Sequence, residues 1–364
     1  MPQTLLATKL HIPEHPGVGV PRARLTEALE HGIVRSRLTL VAAPAGFGKT
    51  TLLAEWARTT NVPVAWLSLG SDDDDPDSFL RYLLAAWERI EPEVASSPLA
   101  ILLGSQGPNR EAVLTAFLNA AAGLRADQAL ILDDYHLIHD PAIHASLAYL
   151  LDYLPPRLHV VIGTRAEPEE LPLARYRARG QLLQIHAEDL RFSLEEAVEF
   201  LNRAAGSRLT SEDIQQWHKQ LEGWAAGLQL AALSGQRPSG GAMGAADLSG
   251  RQRYIADYLA QEVLALLPAE VQAFLLRTSI LDRLCAPLAE TVTGTAGGQP
   301  MLERLERENL FVQALDEERN WFRYHPLFAS FLQAELEQRL RQAAGVRPGG
   351  GHPARKGGRP GAGR

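Results

Sequence analysis

Short apolar runs alternate with longer amphipathic stretches through the first half of the chain. Leu38–Ala42, Val64–Leu69, Ala129–Asp133, His159–Thr164 and Leu182–Ile185 each read as a buried strand. Helical spacing fills Lys49–Thr59, Pro76–Glu91 and Arg110–Leu124 between them. Strands without a polar face, separated by helices, predict a parallel α/β sheet covered on both sides. Further on the pattern turns helical. Ser193 with Glu196 forms a capping box, in which hydroxyl and carboxylate satisfy free amides at a helix start, and Thr210 with Asp213 opens the next helix similarly. Helices run to about Leu233, and Gly235–Gly250, with five glycines and one proline, reads as a loose connection. Helices over Arg253–Leu266 and Ala269–Thr278 follow. The runs Leu310–Leu315 and Trp321–Tyr324 flank a polar turn and predict a hairpin, and a helix over Pro326–Arg341 closes the pattern. Helices followed by a hairpin are the ingredients of a winged helix.

The strongest chemical signal follows the first strand. Ala43-Pro44-Ala45-Gly46-Phe47-Gly48-Lys49-Thr50-Thr51 matches a phosphate-binding loop, Gly-x4-Gly-Lys-Ser/Thr, except that Ala43 replaces the first glycine. Such a loop aims backbone amides and a helix N-terminus at phosphates. Its lysine neutralises β/γ charge and its hydroxyl, here that of Thr50, ligates Mg²⁺. The partner is Leu130-Ile131-Leu132-Asp133-Asp134, a buried strand ending in two acids. Asp133 is expected on the metal side, and Asp134 where it orients or deprotonates an attacking water. Arg165 ends the fourth strand, and ligands of open α/β sheets sit at that edge, so a γ-phosphate contact competes with an ordinary surface arginine. Asp72–Asp75 lacks the spacing of a calcium loop and reads as a solvated helix start. His136, His139 and His144 lack the thiols or His-Glu-x-x-His spacing that would indicate zinc, and read as surface or phosphate-edge groups.

Composition narrows the class. The 364 residues are 46% apolar and 22% charged, an ordinary globular mixture for two or three domains. The single cysteine, Cys285, excludes an intrachain disulfide and reads as a small buried side chain. No run approaches the roughly 18 apolar residues of a membrane span, and the first residues lack a signal-peptide pattern, so a cytoplasmic location is expected. The net charge of −7 argues against nucleic-acid binding by the body of the chain, whereas the stretch from Ala343 onward carries five basic residues and no acid.

Several motifs, in order, resemble one family: Thr8–Pro13, Pro21–Leu25, Ala42–Leu53, Leu130–His136, Gly163–Arg165, Leu190–Ser193, Gly223–Leu228 and Arg323–Phe328. The likeness is to large ATP-dependent LuxR-family transcriptional regulators of the MalT type, signal-transduction ATPases of the STAND class. It implies a P-loop nucleotide-binding domain over 1–188, a helical lid with its connection over 189–250, a winged helix over 251–342 and a disordered tail over 343–364. It further implies that ADP is trapped between domains, that ATP replaces it on activation with self-assembly or binding of other regulator subunits, and that slow hydrolysis resets the switch. Under this resemblance Ala45, Gly46, Phe47, Gly48, Lys49, Thr50 and Thr51 hold phosphates, and Thr50 and Asp133 face Mg²⁺. Asp134 and Arg165 serve hydrolysis, Arg22 and Arg24 line the adenine pocket, and His325 touches the ADP β-phosphate. The lid motif normally reads Gly-x-Pro, but Ala225 stands in the proline position. The family's sensor repeats and helix-turn-helix have no counterpart here, so a switch without its DNA reader is expected, and direct DNA binding is disfavoured. Two other classes compete: a stand-alone P-loop ATPase or kinase, and a weak DNA-binding winged-helix protein.

Overall fold

The computed structural model describes residues 5–14, 19–92, 109–205, 209–234 and 248–343. The glycine-rich connection as far as residue 247 and the basic tail from 344 lie outside them. Five parallel strands form one sheet in the order β2-β3-β4-β1-β5, with β1 Leu38–Ala42, β2 Val64–Ser68, β3 Gln128–Asp133, β4 Leu158–Thr164 and β5 Leu182–Ile185. The three central strands are buried along their whole length, as their predominantly apolar sequence favours, and the two edge strands are less covered.

Side chains alternate between the faces with the strand period of two. Leu38, Leu40, Leu130, Leu132, Val160 and Ile162 enter a core under the helices Pro76–Glu88, Arg110–Ala122 and Pro141–Asp152. Val41, Ile131 and Val161 enter the opposite core. That second core continues without a break into the helical segment, through Leu201, Trp217 and Trp224, and into the winged helix through Phe311, Phe322 and Phe328. The sheet and the described helical and winged-helix elements C-terminal to it therefore share apolar packing.

The winged helix comprises Ala269–Thr278, Ala286–Thr293, Gly298–Arg307, the two-stranded hairpin β6 Val312–Ala314 with β7 Phe322–Tyr324, and Pro326–Ala343. The hairpin strands are shorter than the sequence suggested: Phe311 lies outside the ladder and packs on Phe47 of the phosphate loop. The helix expected over Arg253–Leu266 runs over Leu248–Glu262 and gives way at Val263 to a single 3₁₀ turn, Leu264–Leu266. Cys285 is half-buried at a helix start. The acidic run is not simply solvated. Asp75 caps the helix Pro76–Glu88, but Asp73 is buried against Lys9 at 2.7 Å and Asp74 accepts the amides of His139 and Asp140. Among the described residues no helix is long and apolar enough to cross a membrane.

Candidate nucleotide-binding site

The loop after β1 turns because Gly46 and Gly48 sit at φ +77° and +82°, a region closed to most side chains. Gly46 also lies under the helical segment. A Cβ there would fall 2.6 Å from Ala226 Cβ and 2.9 Å from the Tyr258 hydroxyl. The helix Lys49–Thr59 begins at the end of this turn, so its free amides face the loop. Lys49 is buried, and its Nζ donates to the carbonyls of Ala43 at 2.8 Å and Pro44 at 3.1 Å. Burial pulls the ammonium down to about 8, against the attraction of Asp134 and Asp133, with Arg165 adding to the fall.

Asp133 reaches this loop from β3, past the intervening β4. Gly163 makes room: a Cβ at Gly163 would lie 2.6 Å from Asp133 Oδ1. The carboxyl is buried, and Oδ1 has no hydrogen-bond partner. Desolvation, reinforced by Asp134, pushes it up to about 7, while Thr50 and Lys49 pull the other way. An orphaned carboxylate oxygen beside a loop threonine is the donor set a hard divalent cation takes, so these two residues fit Mg²⁺. Asp134 occupies a left-handed conformation, φ 58°, and its carboxyl is also raised by burial, against Lys49 and Arg165. Arg165 donates to the carbonyl of Glu262 at 3.2 Å, at the carbonyl end of the helix Leu248–Glu262, and its own carbonyl accepts Asn309 Nδ2 at 2.9 Å. The three histidines singled out earlier diverge. His144 bonds the Tyr135 hydroxyl, His139 faces Asp74, and His136 faces Asp134. No metal-binding cluster of His, Cys, Asp and Glu is present among the described residues.

Beside the loop opens a cavity of about 360 Å³, lined by Val20, Arg22, Thr51, Leu52, Glu55, Phe192, Phe200, Ala225 and Gln229 among others. Its walls are mostly apolar, as a purine requires. Arg22 lines it but is already committed. Its guanidinium donates to the carbonyls of Leu190 and Arg191, both at 2.7 Å, pairs with Glu196 at 3.2 Å and lies over the Phe192 ring. Arg24 does not line the cavity. It is half exposed and turns to the Arg191 carbonyl and Glu196. Glu55, Phe192, Phe200 and Gln229 were not singled out from sequence. Glu55 was legible in hindsight, standing one helical turn from Thr51 on the same face.

Both C-terminal parts touch the loop. The Ala226 amide donates to the Gly46 carbonyl at 2.9 Å, and Trp224 Nε1 to that of Ala45 at 3.2 Å. Phe311 packs on Phe47, Trp224, His325 and Phe328, with ring centroids 5.1–6.2 Å apart. It does so at φ 57°, a costly conformation for a bulky residue. His325 lines a small cavity with Pro44 and Phe47, 3.6 Å from Glu222. Burial holds its imidazole below the usual range despite Glu222.

A MalT winged helix domain model matches residues 260–344, and an AAA domain model matches residues 34–164. The chain is a MalT-like module of the P-loop ATPase class. It is 37% identical over 336 residues to the serine/threonine-protein kinase PknK of Mycobacterium tuberculosis, covering 91% of this chain and 30% of that protein. It is 35% identical over 338 residues to the HTH-type transcriptional regulator MalT of Klebsiella pneumoniae, covering 92% of this chain and 37% of the relative. The MalT-like module thus spans about a third of the length of these relatives. A Walker-type ATPase of Pyrococcus abyssi superposes with a TM-score of 0.62, covering 88% of this chain and 99% of that one; at 16% identity this speaks for the fold alone.

Proposed function

We propose that this module is an ATP-driven signal-transduction switch, resting with ADP between the loop, the helical segment and the winged helix, and changing partner contacts when ATP replaces it. The observation that carries the reading is the convergence of all three parts on one phosphate loop, through the Gly46–Ala226 and Ala45–Trp224 hydrogen bonds and the Phe47–Phe311 contact. A metabolic kinase has no need to tie its loop to two C-terminal elements. In a switch, such ties let the contents of the loop bias the whole chain.

In this reading the amides of Ala45, Gly46, Phe47, Gly48, Thr50 and Thr51 cradle the phosphates, and Lys49 exchanges its carbonyl partners for β/γ oxygens. Thr50 and Asp133 would hold Mg²⁺, which would supply positive charge against that of the phosphates. Asp134 directs water at the γ-phosphorus, and Arg165 stabilises charge developing there. The base lies in the cavity against Val20 and Leu52, with Arg22 fixing the wall rather than the ligand. His325 approaches the β-phosphate from the winged helix, and its inward packing on the loop favours a latch over a DNA reader. Hydrolysis is slow and resets the switch, and the active form self-assembles or engages other regulator subunits.

Light scattering of the purified chain in saturating Mg·ADP and Mg·ATP tests this. A larger assembly with ATP is expected, and the same mass in both nucleotides would sink the switch.

A further inference from the structure

One buried polar atom faces the site without a role in the account above. His136 stands on the single turn Tyr135–Leu137 that follows β3 and Asp134. Its Nδ1 is shut off from solvent and has no hydrogen-bond partner. Such an atom costs free energy while it stays unpaired, so it marks a contact completed in another state of the molecule. Asp134 Oδ1 lies 3.9 Å away, about 1 Å beyond hydrogen-bond reach, a gap that a small side-chain rotation closes. The two acids differ in freedom. Asp133 is fully buried, whereas the Asp134 side chain is 42% exposed and free to settle against a partner.

We infer that His136 is a positioning residue for hydrolysis: its Nδ1–H donates to Asp134 Oδ1 and holds that carboxylate against the attacking water. This rests on the ATPase reading above. In the step it serves, the water oxygen bonds to the γ-phosphorus as the bond to the departing ADP oxygen breaks, and a water proton passes to Asp134. Burial, together with Arg165 and Lys49 facing the ring, keeps the imidazole neutral, at about 3. Neutrality suits the task. A cation on Asp134 would lower its basicity, whereas a neutral N–H orients the carboxylate and leaves its charge available to the water.

The test uses the full chain with His136→Leu and His136→Asn, each alone and with Asp134→Asn, measured by single-turnover hydrolysis and nucleotide affinity. Asparagine places an amide nitrogen where Nδ1 stands, and leucine places none. His136→Leu is expected to slow hydrolysis about tenfold, with affinity within about twofold of wild type, and His136→Asn to recover most of the rate. In the Asp134→Asn background His136→Leu should cost nothing further, because it acts through Asp134. Should leucine impair folding, His136→Gln, whose amide reaches the Nε2 position instead, gives the same contrast with asparagine. An unchanged rate in His136→Leu, equal losses in all His136 variants, or a full additive loss on Asp134→Asn would each overturn the inference. A wild-type chain that binds nucleotide without ever hydrolysing it would overturn the ATPase reading itself.

Discussion

Phe311→Leu isolates the contact between the winged helix and the phosphate loop. Phe311 is buried, and its ring meets two rings outside the winged helix: Phe47 of the loop at 6.2 Å and Trp224 of the helical segment at 5.8 Å. Aromatic pairs contribute about 0.5–1.5 kcal/mol each beyond their buried area, so leucine forfeits about 1–3 kcal/mol across the interface. That is a factor of about 5–150 in the docking equilibrium. Leucine keeps much of the apolar bulk and is as strained as phenylalanine at φ 57°, but it also forfeits the ring contacts to Phe328 and His325, so the winged helix itself loses about 1–3 kcal/mol, which melting reads separately from release. If docking holds ADP in place, ADP should leave faster by a factor within that range. Stopped-flow release of a fluorescent ADP analogue measures this, with thermal melting as the control for folding. A lower melting temperature with an unchanged ADP release rate would refute the reasoning, because the winged helix would then be stabilising the fold without gating the nucleotide.

Asp134→Asn is expected to bind ATP with near-native affinity and to hydrolyse it at least about 100-fold more slowly, since it loses the acceptor for the water proton; native turnover in a phosphate-release assay would remove Asp134 from the chemistry. Gly46→Ala forces a Cβ 2.6 Å from Ala226 at φ +77°, where left-handed strain alone costs about 1–2 kcal/mol. It should loosen nucleotide binding about tenfold or more by calorimetry, and native affinity would mean that the helical segment does not need its seat on the loop. Mg·ATP affinity should be bell-shaped in pH. The Asp133 carboxyl, raised to about 7, is mostly protonated below that value and meets the metal only after losing its proton, so affinity climbs as pH rises through about 7. The Lys49 ammonium, lowered to about 8, loses its charge above that value, so affinity falls again. A flat profile from pH 6 to 9 would show that neither group meets the ligand.

The sheet was legible because its signal is local: central strands buried on both faces are mostly apolar, as Leu38–Ala42 and Leu158–Thr164 are apart from Thr39, His159 and Thr164, the first two of which bond each other. The turn after β1 was legible because left-handed backbone at two positions demands glycine. Some helices carried signals that reading for strands passed over. Leu25, Leu29 and Ile33 are buried at helical spacing in Ala23–Arg35, and Asp140 caps Pro141–Asp152 by accepting the Ala142 amide at 2.7 Å. The contacts around the loop were not legible. Glu222, Asn309 and Phe311 adopt positive φ without being glycine, a conformation imposed by packing between distant parts of the chain rather than by local preference. The path of Arg24 was hidden for a similar reason. The route of the Arg22 and Arg24 side chains depends on the carbonyls of Leu190 and Arg191, which arrive from more than 160 residues away.

The most direct test of a phosphate loop closed by its own C-terminal parts is the nucleotide that the chain carries. Acid-released nucleotide from the purified wild type and from Lys49→Ala, quantified by chromatography, decides it. Close to one ADP per wild-type chain is expected and none in Lys49→Ala, where the only fixed cation on the loop is gone. Equal nucleotide in both proteins, or a Lys49→Ala variant that still binds ATP at native affinity, would contradict it.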